Sequence, residues 1–108
     1  MIECTSSDIC SATSAALLSG TGDERARGVA IDSRKVGEGT LFVAFPGERV
    51  DGNDYVAAAI EAGAGVVAVT REPDAAALKA AAACGCAVVR CEADDATEFM
   101  LRLAGWWR

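Results

Sequence analysis

Two short stretches carry the residue types that can do chemistry. Asp32-Ser33-Arg34-Lys35 sets a carboxylate, a hydroxyl and two cations side by side, and Gly47-Glu48-Arg49-Val50-Asp51-Gly52-Asn53 brackets a guanidinium and two carboxylates between glycines. Glycine lets a ligand approach the backbone closely. A guanidinium fork matches phosphate oxygens, and a helix starting just beyond the loop adds N–H groups aimed at an anion. These parts suit holding a phosphate or diphosphate rather than breaking a bond. Ser33 can donate or accept, and Glu48 and Asp51 can accept from sugar hydroxyls or a base N–H. A plainer reading stands beside this one. Arg34 and Arg49 pair with Asp32, Glu48 or Asp51 on a solvated surface, where such pairs stabilise little, and Asp51 or Asn53 only caps a helix.

The remaining residues exclude most other chemistry, and no catalytic residue is expected in this chain. It contains no histidine, so histidine-based triads and zincin motifs are absent. Lys35 and Lys79 are the two lysines and neither follows a glycine, so there is no Gly-Lys-Ser/Thr phosphate loop. Gly63-Ala64-Gly65-Val66-Val67-Ala68 fits a loose dinucleotide pattern but precedes a strand, whereas the fingerprint needs a strand followed by a helix. Cys4, Cys10, Cys84, Cys86 and Cys91 are odd in number. Without histidine they lack the usual ligand spacing of a structural zinc site, and they read as reduced, mostly buried thiols with no metal.

A chain of 108 residues with 52% apolar and 24% charged residues is one domain able to bury a core without staples. A net charge of −6 argues against duplex nucleic acid and against an anionic membrane surface as partners. No apolar run approaches the ~20 residues of a membrane-spanning helix. No basic segment precedes an apolar one at the N-terminus, so a cytoplasmic location is expected.

The elements that must position the two stretches follow from periodicity. A short capped helix is expected from Thr5–Ser7 to about Leu18–Gly20, then a short strand at Val29–Ile31 leading into Asp32. Leu41–Phe45 is apolar without alternation, the pattern of a strand covered on both faces. Helix is expected from about Asn53 to Ala62, strand at Val66–Val69, helix from Pro73-Asp74 to Gly85, and strand at Ala87–Val89. Asp95-Ala96-Thr97-Glu98 has the spacing of a capping box, and it opens a last helix with Met100, Leu103, Ala104 and Trp107 on one face. Strand–helix alternation of this kind predicts an α/β fold: a small, mostly parallel sheet flanked by helices. In such sheets ligands sit outside the carboxyl ends of the strands, where both stretches fall. Trp106-Trp107 is read either as a turn packed back on the sheet or as the approach to a further domain.

Ile31-Asp32-Ser33-Arg34-Lys35-Val36, Gly39–Arg49, Asp51-Gly52-Asn53-Asp54-Tyr55, Ala59 and Glu61-Ala62-Gly63-Ala64, taken in order and nearly without gaps, resemble the N-terminal domain of the Mur ligases. The resemblance extends over the whole chain through the later strand and helix order. Gly47-Glu48-Arg49 and Leu103-Ala104-Gly105-Trp106-Trp107-Arg108 are similar to the MurF type more than to the MurE type. A stand-alone α/β interaction module without ligase activity is the reading from a different class.

The resemblance implies a domain that binds the UDP part of a UDP-N-acetylmuramoyl-tripeptide. The parent ligase adds D-alanyl-D-alanine in peptidoglycan synthesis, or a diamino acid if it is of the MurE type. No cofactor is implied in this domain. ATP and Mg2+ belong to a central domain that would contact this one. The nucleotide contacts of the family fall on Ile31, Ser33, Glu48, Arg49 and Val50, to which the reading of the loops adds Arg34, Gly47, Asp51, Gly52 and Asn53. Asn53 stands where the family usually has histidine, and Val50 is smaller than the aromatic residue often found there.

Overall fold

The computed structural model describes residues 3–46 and 51–107. Five strands form the main sheet in the order β2-β7-β6-β5-β4. Strands β4 (Gly28–Ala30), β5 (Thr40–Val43), β6 (Val66–Val69) and β7 (Ala87–Arg90) run parallel, and β2 (Ala16–Ser19) lies antiparallel along the outer side of β7. The mostly parallel α/β sheet expected from the strand–helix alternation is present.

The apolar strands alternate between two covered faces. Leu41, Val43, Val66, Ala68, Ala87 and Val89 point to one core, which Ile9 of α1 (Ser6–Thr13) and Phe99 and Leu103 of α4 (Ala96–Trp107) complete. Phe42, Val67, Val69 and Val88 point to the other, under Val56, Ala59 and Ile60 of α2 (Val56–Glu61) and Ala81 of α3 (Ala75–Cys84). Phe42, Phe99, Leu41, Ile60 and Leu103 are essentially fully buried, and each contributes roughly 1.5–3 kcal/mol by leaving water.

Local signals account for most boundaries. Thr5 and Asp8 exchange hydrogen bonds in a complete capping box at the start of α1. Asp74 caps α3 by accepting from the Ala77 N–H at 2.8 Å, and Gly85 closes that helix in the left-handed region. At α4 only half of the expected box forms. Asp95 accepts from the Glu98 N–H, but the Glu98 carboxylate goes to Arg102 one turn on. Phe99, rather than Met100, shares the fully buried stripe of α4 with Leu103. Leu101 and Trp106 are exposed, and the Trp107 side chain lies outside the described residues.

The first segment departs from expectation. The helix stops at Thr13, where Ser14 turns left-handed (φ 62°, ψ 21°), and residues expected to extend it form β2 instead. Thr13 explains the stop. Its hydroxyl donates back to the Ile9 carbonyl at 2.7 Å and accepts from the Ala15 N–H, an alternative to continued helix pairing. A second unforeseen feature is a small antiparallel ribbon, β1 (Cys4–Thr5) with β3 (Arg25–Ala26). Helical structure after the second loop also begins differently, as a 3-10 helix at Gly52–Tyr55 that precedes α2.

Cys4, Cys86 and Cys91 are buried as expected, Cys10 is half-buried, and Cys84 is exposed at the end of α3; all five are free thiols. Burial pushes the Cys86 and Cys91 thiols up to about 12. No helix among the described residues is long and apolar enough to cross a membrane.

The loop after β2 is held by one carboxylate. Glu24 accepts from the Ser6 hydroxyl at 2.7 Å and from the backbone N–H groups of Thr21 and Gly22. Burial pushes its pKa up, but these hydrogen bonds outweigh it and hold the group at about 2, below the ordinary 4.5. Because the folded value is depressed, the stability Glu24 supplies is full above the ordinary carboxylate range and is lost as pH falls toward about 2. Glu24→Gln is therefore expected to cost ~1.5–3 kcal/mol at neutral pH. The gap from the native chain should narrow below about pH 4.5 in thermal melts taken across pH. A gap that persists unchanged into strong acid would mean that the charge of Glu24 is not what secures the loop.

Candidate functional site

Strands β4 and β5 are neighbours in parallel register, with Ala30 opposite Phe42, so the segments that leave their carboxyl ends diverge from one place. There they enclose a cleft of about 600 Å³ lined by Ile31, Asp32, Ser33, Arg34, Phe42, Phe45, Pro46, Gly52 and Tyr55. One wall is the turn after β4, a 3-10 helix at Ser33–Lys35 capped by Asp32, whose carboxylate accepts from the Arg34 N–H at 2.9 Å. The same carboxylate takes the Arg34 guanidinium as a fork, from Nε at 3.1 Å and from Nη2 at 2.9 Å. That guanidinium fork holds the Asp32 carboxyl down at about 2, and Asp32 in turn raises the Arg34 pKa.

The pairing of Arg34 with Asp32 is the plain surface reading, but it leaves ligand capacity unspent. A guanidinium has five N–H donors, and among the described residues the fork together with the cap engages Asp32 alone. The Arg34 side chain is 87% exposed at the mouth of the cleft. Around it the walls are apolar: Ile31 is 61% exposed, Tyr55 is 42% exposed, Phe45 is half-buried and Phe42 forms the floor. An apolar slot with a cation and a hydroxyl at its rim suits a ligand with a flat or weakly polar ring at one end and an anion at the other.

The second wall begins where β5 ends. The Gly52 N–H donates to the Phe45 carbonyl at 2.8 Å, which closes the loop between them at its base. Only glycine fits at that closure, because a Cβ on Gly52 would stand 2.8 Å from the Phe45 nitrogen and 3.0 Å from the Ala44 Cα. Gly47, Glu48, Arg49 and Val50 lie outside the described residues, between Pro46 and Asp51; Pro46 and Gly52 both line the cleft.

Asp51 and Asn53 are committed elsewhere. Asp51 caps the 3-10 helix by accepting from the Asn53 N–H at 2.9 Å, and it also accepts from Asn53 Nδ2 and from Arg71. The Asn53 hydrogen bonds, with Arg71 beside them, hold the Asp51 carboxyl below its usual range. Asn53 reaches across to the end of β6, donating to Thr70 Oγ1 at 2.8 Å and accepting the Thr70 N–H at 3.0 Å. Asn53 lines a second cleft of about 400 Å³ between α2 and the start of α3, rimmed by Asp54, Arg71, Glu72 and Asp74.

The structure thus gathers Ile31, Ser33, Arg34 and Gly52 into one cleft and turns Asp51 and Asn53 toward the neighbouring strand. Sequence reasoning placed Asp32 in the first chemical stretch, and it did not single out Phe42, Phe45, Pro46 and Tyr55 as lining residues. Their signal was position alone, since each flanks a carboxyl end of β4 or β5 or the return of the loop. No group of three or more His, Cys, Asp or Glu side chains is placed to hold a metal ion among the described residues.

Comparison with known proteins shows the family. The Mur ligase family model, described as its catalytic domain, matches residues 25–104. The UDP-N-acetylmuramoyl-tripeptide–D-alanyl-D-alanine ligase of Mycobacterium bovis is 54% identical over 43 residues, covering 40% of this chain and 8% of that protein. The UDP-N-acetylmuramoyl-L-alanyl-D-glutamate–2,6-diaminopimelate ligase of Zymomonas mobilis is 51% identical over 47 residues, covering 44% of this chain and 9% of that protein. A crystal structure of MurF from Acinetobacter baumannii superposes with a TM-score of 0.73 at 23% identity, over 98% of this chain and 21% of that one. The chain therefore spans about a fifth of that MurF and aligns with under a tenth of the curated ligases. The family match extends over most of the sequence and over both walls of the cleft, and the chain belongs to the Mur ligase family.

Proposed function

We propose that the β4–β5 cleft holds the UDP end of a UDP-N-acetylmuramoyl-peptide, and that this chain is the substrate-anchoring domain of a peptidoglycan ligase. The observation that carries the reading is the convergence of Ile31, Ser33, Arg34 and Gly52 on one apolar slot at the carboxyl ends of adjacent parallel strands. Ile31, Phe45 and Tyr55 offer apolar surface to the uracil and ribose. Arg34 and Ser33 stand at the rim for the diphosphate, and Glu48, Arg49 and Val50 belong to the loop that begins and ends at the same cleft.

Anchoring is positioning rather than chemistry. Binding energy spent on a remote handle fixes where the reacting end of a long substrate lies, and so makes its reaction effectively intramolecular. ATP and magnesium are implied for the full-length ligase. The sequence has no glycine-lysine phosphate loop. Those reactants belong to another domain in this reading.

Gly47-Glu48-Arg49 and the match to D-alanyl-D-alanine-adding ligases favour the MurF type. Near-equal identity to a diaminopimelate-adding ligase supports the MurE type as the second reading. Assaying the parent protein with each acceptor separates the two.

An NMR titration of this chain with UDP and with UDP-N-acetylmuramic acid tests the anchor. Shifts should concentrate at Ile31–Arg34, Phe45 and Gly47–Asn53. Shifts confined to other surfaces, or none at millimolar ligand, would remove the cleft from the reading and favour an interaction module. Within the same titration, Arg49→Ala should weaken UDP binding by ~1.5–3 kcal/mol, the range for a hydrogen bond to a charged group. An unchanged midpoint would take Arg49 out of the site.

The chain has no histidine and Asp32 is already held at about 2. Affinity for a UDP-sugar, whose diphosphate carries no titrating monoester, should therefore stay flat between about pH 5.5 and 8. A midpoint inside that window would reveal a titrating group in the cleft that this reading does not contain.

A further inference from the structure

We infer that Thr70 and Arg71, just after β6 and not among the residues lining the proposed UDP cleft, are positioning residues for Asp51–Asn53, the segment that follows the proposed nucleotide loop in sequence. The inference rests on the β4–β5 cleft being the UDP site. Among the described residues Thr70 is one of three buried polar residues, at 6% exposure, and the site reading gives it no task. Its backbone N–H donates to Asn53 Oδ1, and its hydroxyl oxygen accepts from Asn53 Nδ2. Asn53 Nδ2 also donates to Asp51 Oδ1 at 2.7 Å, so both amide hydrogens are spent. Arg71 then bridges Asp51 and Asp54, at 2.8 Å and 2.6 Å.

The consequence is geometric. The chain leaves the sheet past β5 through Phe45 and Pro46, it is described again from Asp51, and Glu48 and Arg49 fall between in sequence. The base of that interval is closed by one backbone hydrogen bond on the β5 side, from Gly52 to Phe45. On the β6 side the return limb is held by the amide–threonine pair and by the arginine bridge. Three consecutive residues, Asp51, Gly52 and Asn53, are thereby fixed from two strands at once. A ligand that needs the loop in one place benefits because the return limb is ordered before it arrives, which lowers the entropy lost on binding. Thr70 and Arg71 thus act on UDP through Asn53 and Asp51.

The test uses Thr70→Val, which keeps the side-chain shape and removes the acceptor, and Thr70→Ser, which restores the oxygen. Each is measured by UDP titration and by amide hydrogen exchange in the ligand-free protein. Thr70→Val is expected to exchange faster at the Gly52 and Asn53 N–H groups and to bind UDP about tenfold more weakly, the fold-change of one supporting hydrogen bond. Thr70→Ser should return both readouts to within about twofold of the native chain. Arg71→Ala gives an independent variant, in which UDP binding should weaken in the same direction. A folded Thr70→Val protein with native UDP affinity overturns the inference, as does failure of Thr70→Ser to rescue. If the native chain itself does not bind UDP, the site reading fails. The exchange measurement still judges the clamp in that case, because unchanged protection at Gly52 and Asn53 in Thr70→Val overturns it on its own.

Discussion

Everything else in this domain depends on a sheet covered on both faces. In β5, β6 and β7 successive side chains alternate between two apolar cores, so between the strand ends no polar side chain has a solvated face to occupy. Burying one unpaired would cost several kcal/mol. Polar side chains are therefore pushed to the strand ends. The amino-terminal edge is bound up in backbone contacts, with the Arg27 N–H donating to Gly39 and the Gly39 N–H to Gly63. The carboxyl-terminal edge carries the loops with side chains to spare.

The same constraint bears on how an acidic chain could accommodate the proposed anion. A net charge of −6 sets the long-range field, but affinity for a small ligand is decided by donors within hydrogen-bond reach. Acidic side chains near the edge are largely spent internally. Asp51 accepts from Asn53 and Arg71, Asp94 from Arg90, and Glu92 and Glu98 pair with Arg102. Arg102 also donates to the Thr13 carbonyl at 3.0 Å and ties α4 to the end of α1. These carboxylates act as structural acceptors, and their charge is met locally.

How much of this was legible in the sequence follows from range of interaction. Strands β6 and β7 and helix α3 were readable because their signals are local: unbroken apolar runs, Asp74 as cap, Gly85 as terminator. Strand β2 was not readable, because its residues are helix-compatible and only the open edge of β7 makes them a strand. The two loops were identified from residue types, and their convergence followed from β4 and β5 being neighbours. What could not be read was which way Asn53 faces. Its composition suits a ligand contact or a cap equally, and the deciding partner, Thr70, lies 17 residues away in sequence. Tyr55 and Phe45 were overlooked for a related reason: an aromatic residue at an element boundary looks like core until the neighbouring strand shows that the space beside it is open.

The position of the cleft has a simple electrostatic logic. Three of the parallel strands, β4, β6 and β7, end beside an arginine, and the three arginines differ in what holds them. Arg90, the last residue of β7, is taken by Asp94 and Glu72. Arg71, after β6, is taken by Asp51 and Asp54. In both cases carboxylates from two separate segments converge on the guanidinium, so an incoming anion would have to displace a cross-link that also stabilises the fold. Among the described residues Arg34, after β4, is held by Asp32 alone, two residues before it in its own turn. Its exposed donors are already ordered by that fork, and recruiting them breaks no contact between elements. Of the three, Arg34 is the one whose charge a phosphate can share without loosening the sheet edge, and the apolar cleft lies beside it.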